Sequence, residues 1–485
     1  MKQNIENATN KKASPLTRLI NLSKSVAPIS AGALLMFSAM AYSQTEALAT
    51  APLATSQSEQ VASVNSLRIE NQDVPKNIVM VIADGMGPAY VSAYRYFKDD
   101  PSTEAVETTI FDDILLGTQR TYPHAESGYV TDSAASATAL ATGFKTYNGA
   151  IGVNVNKEPL ETVLHAARKQ GMKTGLAVTS TIVHATPASY MVANEQRRNY
   201  EQIADSFFDD RINGQFLADV MLGAGQTHFI REDRNLVAAF EENGYQYLSD
   251  YSQLEDVDLS KPMIGLFGAN SLPWALDDTN PHRLSALTST ALNALNNEAG
   301  FFLLVEASQV DWAGHANEIA SAMAEMDDLA VAMQVLEKFA VEHPDTLVLL
   351  TADHSTGGLT VAGADGYRWD PKWLSNFKAS VVTIAKEMMQ HEDRKGYVEA
   401  QFGFELTEDE VAIIDSANSE MESRQIENLL KGIVNERTNT GWTTNGHTAV
   451  DVNIYGYGPG ARHFSGNLNN TDIAERLFKL IKARQ

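Results

Sequence analysis

Short apolar runs alternate with longer amphipathic stretches from residue 76 to the end of the sequence. The apolar runs, which have the length and composition of buried strands, cover residues 77–83, 174–180, 263–268, 301–307 and 346–352. Stretches between them, such as 160–170, 287–297 and 317–341, space their apolar residues as helices do. Unbroken apolar strands separated by helices are typical of parallel sheets covered on both faces. We therefore predict an α/β fold with a central, mainly parallel β-sheet flanked by helices on both faces.

The first 41 residues differ in composition from the rest of the sequence. Five basic residues oppose one glutamate, and an uncharged run over 26–41 ends in the small residues around Ala41. This order predicts a secretory signal peptide over residues 1–41. An uncleaved anchor is the alternative, but the run is short for a hydrocarbon core of about 30 Å. We expect a periplasmic or secreted protein with no membrane association after cleavage.

The remaining sequence divides into two predicted parts. Residues 42–74 are rich in Ser, Ala, Gln and Glu, which predicts a poorly ordered lead-in to one domain over 75–485. Within that domain, helical patterns between about 361 and 440 predict a helix-rich insertion packed beside the functional edge of the sheet. The insertion could shape access or a dimer contact, or it could be a surface excursion without a further role.

Composition narrows the chemistry that the chain can perform. Acidic residues outnumber basic ones by 61 to 37, which gives a formal net charge of −24, and we find no long basic run. Nucleic acid is therefore not an expected partner. The sequence contains no cysteine, which excludes disulfides, thiolate metal ligands and cysteine nucleophiles. Any metal ligands must be histidine or carboxylate side chains.

Polar side chains follow four of the predicted strands, at the edge where ligands bind in sheets of this kind. They are Asp84, His184, Thr186, Glu306, Asp311, His315, Asp353 and His354, and His447 precedes another apolar run near the C-terminus. Each residue alone could serve a turn or a structural hydrogen bond. Their convergence on one edge predicts a metal centre there.

The candidate ligands can be sorted by the preferences of two cations. Zn²⁺ binds imidazole nitrogen and carboxylate oxygen, usually with four ligands, and a site with three protein ligands keeps an open position for catalysis. The two predicted zinc sites are Asp311, His315 and His447, and Asp84, Asp353 and His354. A third set, in which Asp84 uses its second oxygen together with Thr186 and Glu306, suits Mg²⁺ because its ligands are oxygen atoms.

A candidate nucleophile lies at the start of an Ala- and Ser-rich helix pattern over 133–142. Asp132 is predicted to cap this helix, so Ser133 would lie in the first turn. Backbone amides and the positive end of the helix dipole favour a phosphate or an oxyanion there. A well-capped helix without a catalytic role fits the same pattern, so the residues alone leave both interpretations open.

Six segments, in the same order along residues 77–484, resemble those of metal-dependent alkaline phosphatases. They are DGMG at 84, YVTDSAASATALATGFKTYNGAIGV at 129, HATPAS at 184, VEASQVDWAGHANE at 305, TADHSTGGL at 351 and NGHTAVDVNIYGYGPGA at 445. The resemblance implies an enzyme that hydrolyses a broad range of small phosphate monoesters through a phosphoserine on Ser133. It also implies two Zn²⁺ and one Mg²⁺ on the ligands named above, a homodimer, and a phosphate-binding arginine at Arg197, with Arg198 as the alternative.

Two positions depart from one well-known bacterial branch of the family, which has Asp and Lys where this chain has His184 and Trp312. Those residues help to hold water and phosphate, so the resemblance leaves open how tightly phosphate binds and which metal occupies the third site. The His/Trp pair resembles a marine bacterial branch. A phosphodiesterase of the same superfamily and a secreted metal- or phosphate-binding protein without turnover are the alternative functions. Thr186 and Glu306 favour the monoesterase, and Ser133 favours an enzyme.

Overall fold

The computed structural model describes residues 69–484, so the predicted signal peptide and most of the predicted lead-in lie outside the described residues. The described part begins with a 3₁₀ turn, Asn71–Asp73, in which Asp73 is buried. Arg462 Nη2 donates a 2.8 Å hydrogen bond to Asp73 Oδ2 and ties this turn to the C-terminal part of the chain. Residues 71–73 thus pack against the domain, whereas the sequence pattern assigned them to a poorly ordered lead-in.

Ten strands of the described part form one central sheet. They are β1 (Asn77–Ala83), β2 (Leu115–Arg120), β3 (Lys173–Thr181), β4 (Val220–Ala224), β5 (Gln246–Leu248), β6 (Met263–Leu266), β7 (Phe301–Ala307), β8 (Thr346–Thr351), β13 (Val452–Tyr457) and β14 (Gly466–Asn469). Two short antiparallel pairs are β9 (Ser355–Thr356) with β12 (His447–Thr448), and β10 (Thr360–Val361) with β11 (Thr440–Gly441). The order across the sheet is β14-β2-β13-β8-β1-β7-β3-β4-β6-β5, and all neighbours are parallel except β13 with β2 and β8. The predicted mainly parallel sheet is confirmed.

Sixteen α-helices lie in residues 69–484 and connect or flank these strands. They are α1 (Pro88–Lys98), α2 (Ile110–Asp113), α3 (Ser133–Thr142), α4 (Val163–Lys169), α5 (Ala185–Met191), α6 (Tyr200–Asp209), α7 (Gln226–Phe229), α8 (Leu236–Glu242), α9 (Arg283–Leu295), α10 (Gln309–Ala316), α11 (Ile319–Glu342), α12 (Val381–Met388), α13 (Arg394–Phe402), α14 (Glu408–Asp415), α15 (Ser423–Thr438) and α16 (Asn470–Lys482). None of these helices is both long enough and apolar enough to cross a membrane.

The hydrophobic core has two parts, one on each face of the sheet. Successive side chains of a strand point to opposite faces, and β1 shows this directly. Val79 and Val81 pack into a cluster with residues of α1, α9 and α11, whereas Ile78 and Met80 pack into a cluster with residues of α3, α4, α5 and α16. Because both faces are covered, β1 is buried along its whole length, which explains its unbroken apolar sequence.

The predicted insertion forms the helices α12 to α15 and joins the core on the α11 side of the sheet. Its last helix also contacts the end of α10, where Lys431 Nζ donates a 2.8 Å hydrogen bond to the carbonyl oxygen of Ala316. The helix α13 was not predicted from the sequence. Gly396 interrupts its apolar pattern in the first turn, where the Gly396 N–H donates to the capping carboxylate of Asp393.

Candidate active site

The polar residues singled out in the sequence lie together at the carboxyl-terminal edge of the sheet. Asp84 follows β1, which is hydrogen-bonded to β7 on one side and to β8 on the other. Glu306 lies near the end of β7, and Asp353 and His354 follow β8. Since parallel strands end at the same edge, three neighbouring strands deliver these side chains to one place. All four are fully buried.

The first cluster contains Asp311, His315 and His447. Asp311 and His315 lie one turn apart on α10, with His315 Nε2 3.3 Å from Asp311 Oδ2, and His447 Nε2 lies 3.1 Å from His315 Nε2. The other ring nitrogens donate to backbone carbonyl oxygens, His315 Nδ1 to Asn445 and His447 Nδ1 to Thr131. These bonds keep the ring protons on Nδ1 and direct both Nε2 lone pairs to one spot, which is the arrangement of histidines at a metal site.

The second cluster contains Asp84, Asp353 and His354. His354 Nε2 lies 3.1 Å from Asp353 Oδ2 and 3.5 Å from Asp84 Oδ1. A carboxylate oxygen of Asp311, from the first cluster, lies within 4.8 Å of potential ligand atoms of both Asp84 and His354. The imidazole rings of His354 and His447 stack with their centroids 3.6 Å apart. The two predicted zinc sites are therefore adjacent, and Asp311 stands between them, which the sequence did not indicate.

The third cluster contains Asp84, Thr186 and Glu306. Within residues 69–484, both oxygens of Asp84, the hydroxyl of Thr186 and Oε1 of Glu306 are buried without a hydrogen-bond partner. His184 reaches into the same cluster. Arg197 Nη2 donates to His184 Nε2 at 3.3 Å, so the proton of the neutral ring lies on Nδ1. The His184 Nδ1–H is buried without an acceptor among residues 69–484, which suits a residue that orients water.

Burial and like charges shift the pKa values of these clusters. Burial, followed by the charges of neighbouring carboxylates, raises the pKa of Asp84 well above its usual value. Burial also raises the pKa of Glu306 to about 7. The pKa of His184 and that of His447 are each lowered to about 4, chiefly by burial, so both rings are neutral at pH 7. Asp84 and Glu306, which share the third cluster, therefore tend to hold protons that a cation would displace on binding.

Ser133 is the first residue of α3 and lies beside the second cluster. The carboxylate of Asp132 accepts a 2.9 Å hydrogen bond from the Ala135 N–H, which makes Asp132 the N-cap, as predicted. Ser133 Oγ is 3.2 Å from His354 Nε2. The nearby Ser136 instead donates to the carbonyl oxygen of Asp353 at 2.7 Å. Of the two serines, Ser133 is therefore the one whose hydroxyl approaches a predicted metal ligand side chain.

The guanidinium of Arg197 faces the start of α3. Arg197 Nη1 forms a 3.0 Å ion pair with Asp132 Oδ2, and burial, which would lower the pKa of Arg197, is outweighed by the charge of Asp132. Arg198 is exposed and lines a surface hollow with Tyr200 and His228. The geometry thus brings Arg197, and not its neighbour, to His184 and to Asp132, the residue before Ser133.

Trp312 is half-buried and follows Asp311 on α10. Its ring packs edge-to-face against His184 at a centroid distance of 6.0 Å, and against Trp274 at 6.4 Å. Trp274 comes from the segment after β6 and carried no sequence signal beyond its residue type. The two tryptophans and the His184 imidazole form an aromatic wall beside the third cluster.

Thr356 is a contact residue that the sequence analysis missed. Its buried hydroxyl donates to Asp311 Oδ1 and accepts a 3.2 Å hydrogen bond from His354 Nδ1, so it joins the first and second clusters. Thr356 packs closely against Gly85 and Gly314, which leave no space for a side chain. A Cβ atom at Gly85 would lie 2.8 Å from Thr356 Oγ1, and one at Gly314 would lie 3.0 Å from Thr356 Cβ. The sequence feature that could have identified Thr356 is its position two residues after His354 in the TADHSTGG segment.

Comparison with known proteins identifies the family of this chain. The family model for alkaline phosphatases matches residues 75–483. The chain belongs to the alkaline phosphatase family. Alkaline phosphatase 3 of Bacillus subtilis (strain 168) is 43% identical over 429 residues, which cover 87% of this chain and 92% of that relative. This phosphatase therefore belongs to a group of enzymes that hydrolyse phosphate monoesters.

Solved alkaline phosphatases share the fold. The crystal structure of a cold-active alkaline phosphatase from a psychrophilic Shewanella sp. has 47% sequence identity and a TM-score of 0.79, and covers 84% of this chain and 99% of that chain. A variant of the alkaline phosphatase TAB5, described as having Mg bound in its M3 site, has 27% identity and a TM-score of 0.63, with coverage of 84% and 99%. Alkaline phosphatases are metal-dependent, in agreement with the candidate metal-binding clusters of this chain.

Proposed function

We propose that this alkaline phosphatase hydrolyses a broad range of small phosphate monoesters through a phosphoserine formed on Ser133. The observation that carries the proposal is the position of the Ser133 hydroxyl. It is buried at the positive end of α3, 3.2 Å from His354 Nε2, and the Arg197 guanidinium faces the same helix start. A phosphate at this point would meet a nucleophile, a helix N-terminus and a cation together.

We also propose two Zn²⁺ in the first and second clusters and one Mg²⁺ in the third. Mixed imidazole and carboxylate ligands suit zinc, and oxygen ligands suit magnesium. In the described part of the chain, Asp84 and Oδ2 of Asp353 are buried without hydrogen-bond partners, and a bound cation would compensate these otherwise costly charges.

The reaction would proceed in two displacements at phosphorus. Bound divalent cations would supply Lewis-acid stabilisation of the nucleophilic and leaving oxygens. Ser133 Oγ gives its proton to solvent and forms the new bond to phosphorus while the bond to the substrate oxygen breaks, and that oxygen takes up a proton from solvent and leaves as the alcohol. Arg197 offers a planar pair of N–H donors to two phosphate oxygens, and Asp132 holds that plane in place. Water then attacks phosphoserine from the side on which the alcohol left, which releases inorganic phosphate and restores Ser133.

The third cluster supports a monoesterase over a phosphodiesterase. A monoester dianion carries one more charged oxygen than a diester, so it needs more positive charge around phosphorus. A cation held by Asp84, Thr186 and Glu306 would supply this charge. Losing one such electrostatic contribution costs about 2.7–4 kcal/mol, so Glu306→Gln should reduce monoester hydrolysis by a factor of about 10² to 10³. Diester hydrolysis should change little; equal losses on matched substrates would contradict this reasoning.

A chromogenic phosphate monoester assay with and without chelator tests the proposed function. We expect turnover by the metal-loaded protein, loss of activity together with lower thermal stability after chelation, and recovery of both with Zn²⁺ and Mg²⁺. Full activity after exhaustive chelation, with metal absence verified by elemental analysis, would defeat the metal assignment. Metal binding without any turnover would favour the non-catalytic binding protein.

Two further assignments accompany this function. We propose a periplasmic or secreted protein, on the basis of the charge and apolar pattern over residues 1–41, and N-terminal sequencing of the exported protein would test it. We propose a homodimer, on family resemblance, with the α12–α15 insertion shaping access or the subunit contact. Sedimentation of the intact protein would test the oligomeric state.

A further inference from the structure

Two serine hydroxyls surround one oxygen of Glu306. Ser308, in the turn after β7, donates a 2.7 Å hydrogen bond to Glu306 Oε2, and Ser180, near the end of β3, approaches the same oxygen at 3.2 Å. All three residues are fully buried. Neither serine was singled out in the sequence, and neither is one of the proposed metal ligands of the three clusters.

Backbone contacts fix the direction in which the Ser308 hydroxyl donates. Ser308 Oγ accepts a 3.1 Å hydrogen bond from the Ser180 N–H, and the Ser308 N–H donates to Thr179 Oγ1 at 3.0 Å. Because a lone pair of Oγ is occupied by an N–H donor, the single hydroxyl proton is directed to Glu306 Oε2. A hydroxyl that donates to a carboxylate forms a strong, charge-assisted hydrogen bond.

This arrangement makes the two oxygens of Glu306 unequal. Oε2 receives the hydroxyl donors, whereas Oε1 has no hydrogen-bond partner among the side chains and backbone of residues 69–484. Potential metal-ligand atoms of Glu306, Asp84 and His184 lie within 4.8 Å of one another. With Oε2 engaged, Oε1 is the oxygen that is available to the cluster, and rotation that exchanges the two oxygens would break the bond to Ser308.

We propose that Ser308 and Ser180 are positioning residues for the third cluster: they hold Glu306 by Oε2 so that Oε1 faces a divalent cation. The inference rests on the proposed function, which assigns Glu306 to a cation site. The larger part belongs to Ser308, because the Ser180 hydroxyl can donate to the Thr181 carbonyl oxygen, 3.1 Å away, instead of to Glu306. Partners that orient metal ligands in this way affect metal affinity by a factor of about 10 to 100.

The test is the affinity of the zinc-loaded, full-length domain for Mg²⁺ alone, measured by calorimetric titration. Ser308→Ala should weaken Mg²⁺ binding about 10- to 100-fold with zinc content unchanged, and Ser180→Ala should weaken it less. Ser308→Thr retains the hydroxyl and should restore most of the affinity. At saturating Mg²⁺, kcat should return towards the wild-type value, while at low Mg²⁺ it should fall.

Ser321→Ala is the matched control. Ser321 lies in α11 with 1% of its surface exposed, and its hydroxyl has no hydrogen-bond partner within the described residues. This substitution removes a buried serine hydroxyl that is not hydrogen-bonded to Glu306 and should leave Mg²⁺ affinity unchanged.

Several results would overturn the inference. Wild-type Mg²⁺ affinity in both Ser308→Ala and Ser180→Ala would show that the hydroxyls do not position Glu306. Loss of zinc together with magnesium would indicate a general structural defect. These outcomes differ from failure of the proposed function, in which the wild-type protein itself would bind no Mg²⁺ or show no preference for monoesters. If Ser308→Ala does not fold, the Mg²⁺ affinity of Ser180→Ala tests the inference: weaker binding than the wild type supports it, and wild-type affinity contradicts it.

Discussion

Replacing Thr356 by valine should weaken both predicted zinc sites at once. Valine has nearly the same shape as threonine and lacks only the hydroxyl that donates to Asp311 and accepts from His354. The lost bond to a charged carboxylate is worth about 1.5–3 kcal/mol, and a buried ring N–H left without an acceptor costs about 1–3 kcal/mol. Together these two losses should lower the free energy of unfolding of the metal-free protein by roughly 2.5–6 kcal/mol.

The effect on metal binding follows from the same contacts. Without the hydroxyl, Asp311 and the His354 ring are less restrained, and such losses weaken metal affinity by a factor of about 10 to 100. Competition with a chromogenic zinc chelator should therefore remove about two zinc ions per chain from Thr356→Val under conditions in which the wild type keeps both. Thr356→Ser, which keeps the hydroxyl, should behave much more like the wild type.

Thr288→Val provides the control for this substitution. Thr288 is equally buried, on α9, and its hydroxyl has no hydrogen-bond partner in the part of the chain that the structure describes. Unchanged zinc affinity in Thr356→Val would refute the reasoning. Equal weakening in Thr356→Ser would assign the effect to the methyl group, which packs against Gly314, instead of to the hydroxyl.

The remaining predictions concern the nucleophile, the arginine and pH. Ser133→Ala should abolish most turnover with nearly normal metal content, and phosphate trapped at low pH should label Ser133; a label on Ser136 would contradict the assignment. Arg197→Ala should raise KM and lower kcat, with a combined loss of about 1.5–3 kcal/mol, and a larger effect of Arg198→Ala would reverse the choice between them. Since the pKa of Glu306 is raised to about 7 in the metal-free protein, Mg²⁺ must displace a proton below that pH, so its affinity should fall between pH 8 and pH 6; a flat profile would count against Glu306 as a ligand.

The strands that carry the site could be predicted because both of their faces are buried, which makes their consecutive residues apolar. The runs at β1 and β7 match the observed strands residue for residue, and β3, β6 and β8 differ by at most two residues at an end. Other strands escaped prediction for physical reasons. In β2, Leu115 and Arg120 are exposed, and the strand has neither an apolar run nor regular alternation. The antiparallel direction of β13 depends on tertiary pairing with β2 and β8.

Candidate ligands could likewise be found because most of them follow strands directly. Contacts between distant segments left no such signal. Asp132 and Arg197 are 65 residues apart, and only the folded chain shows that the helix cap is also the partner of the arginine. The position of Asp311 between two clusters depends on the approach of His354 from another strand. The sequence therefore predicted which residues to expect at this edge of the sheet, while their mutual distances required the structure.

The contact between α15 and the end of α10 has a consequence for engineering smaller or faster catalysts. Lys431 and Asn435 donate to the carbonyl oxygens of Ala316 and Asn317, directly after His315. Trimming the whole insertion would leave these carbonyl groups without their side-chain donors and loosen the helix end that carries His315. By contrast, α14 buries Ile414 alone among its own residues. Shortened or grafted versions should therefore retain α15 and can vary the exposed positions of α14, apart from Glu410, whose carboxylate pairs with Arg437 of α15.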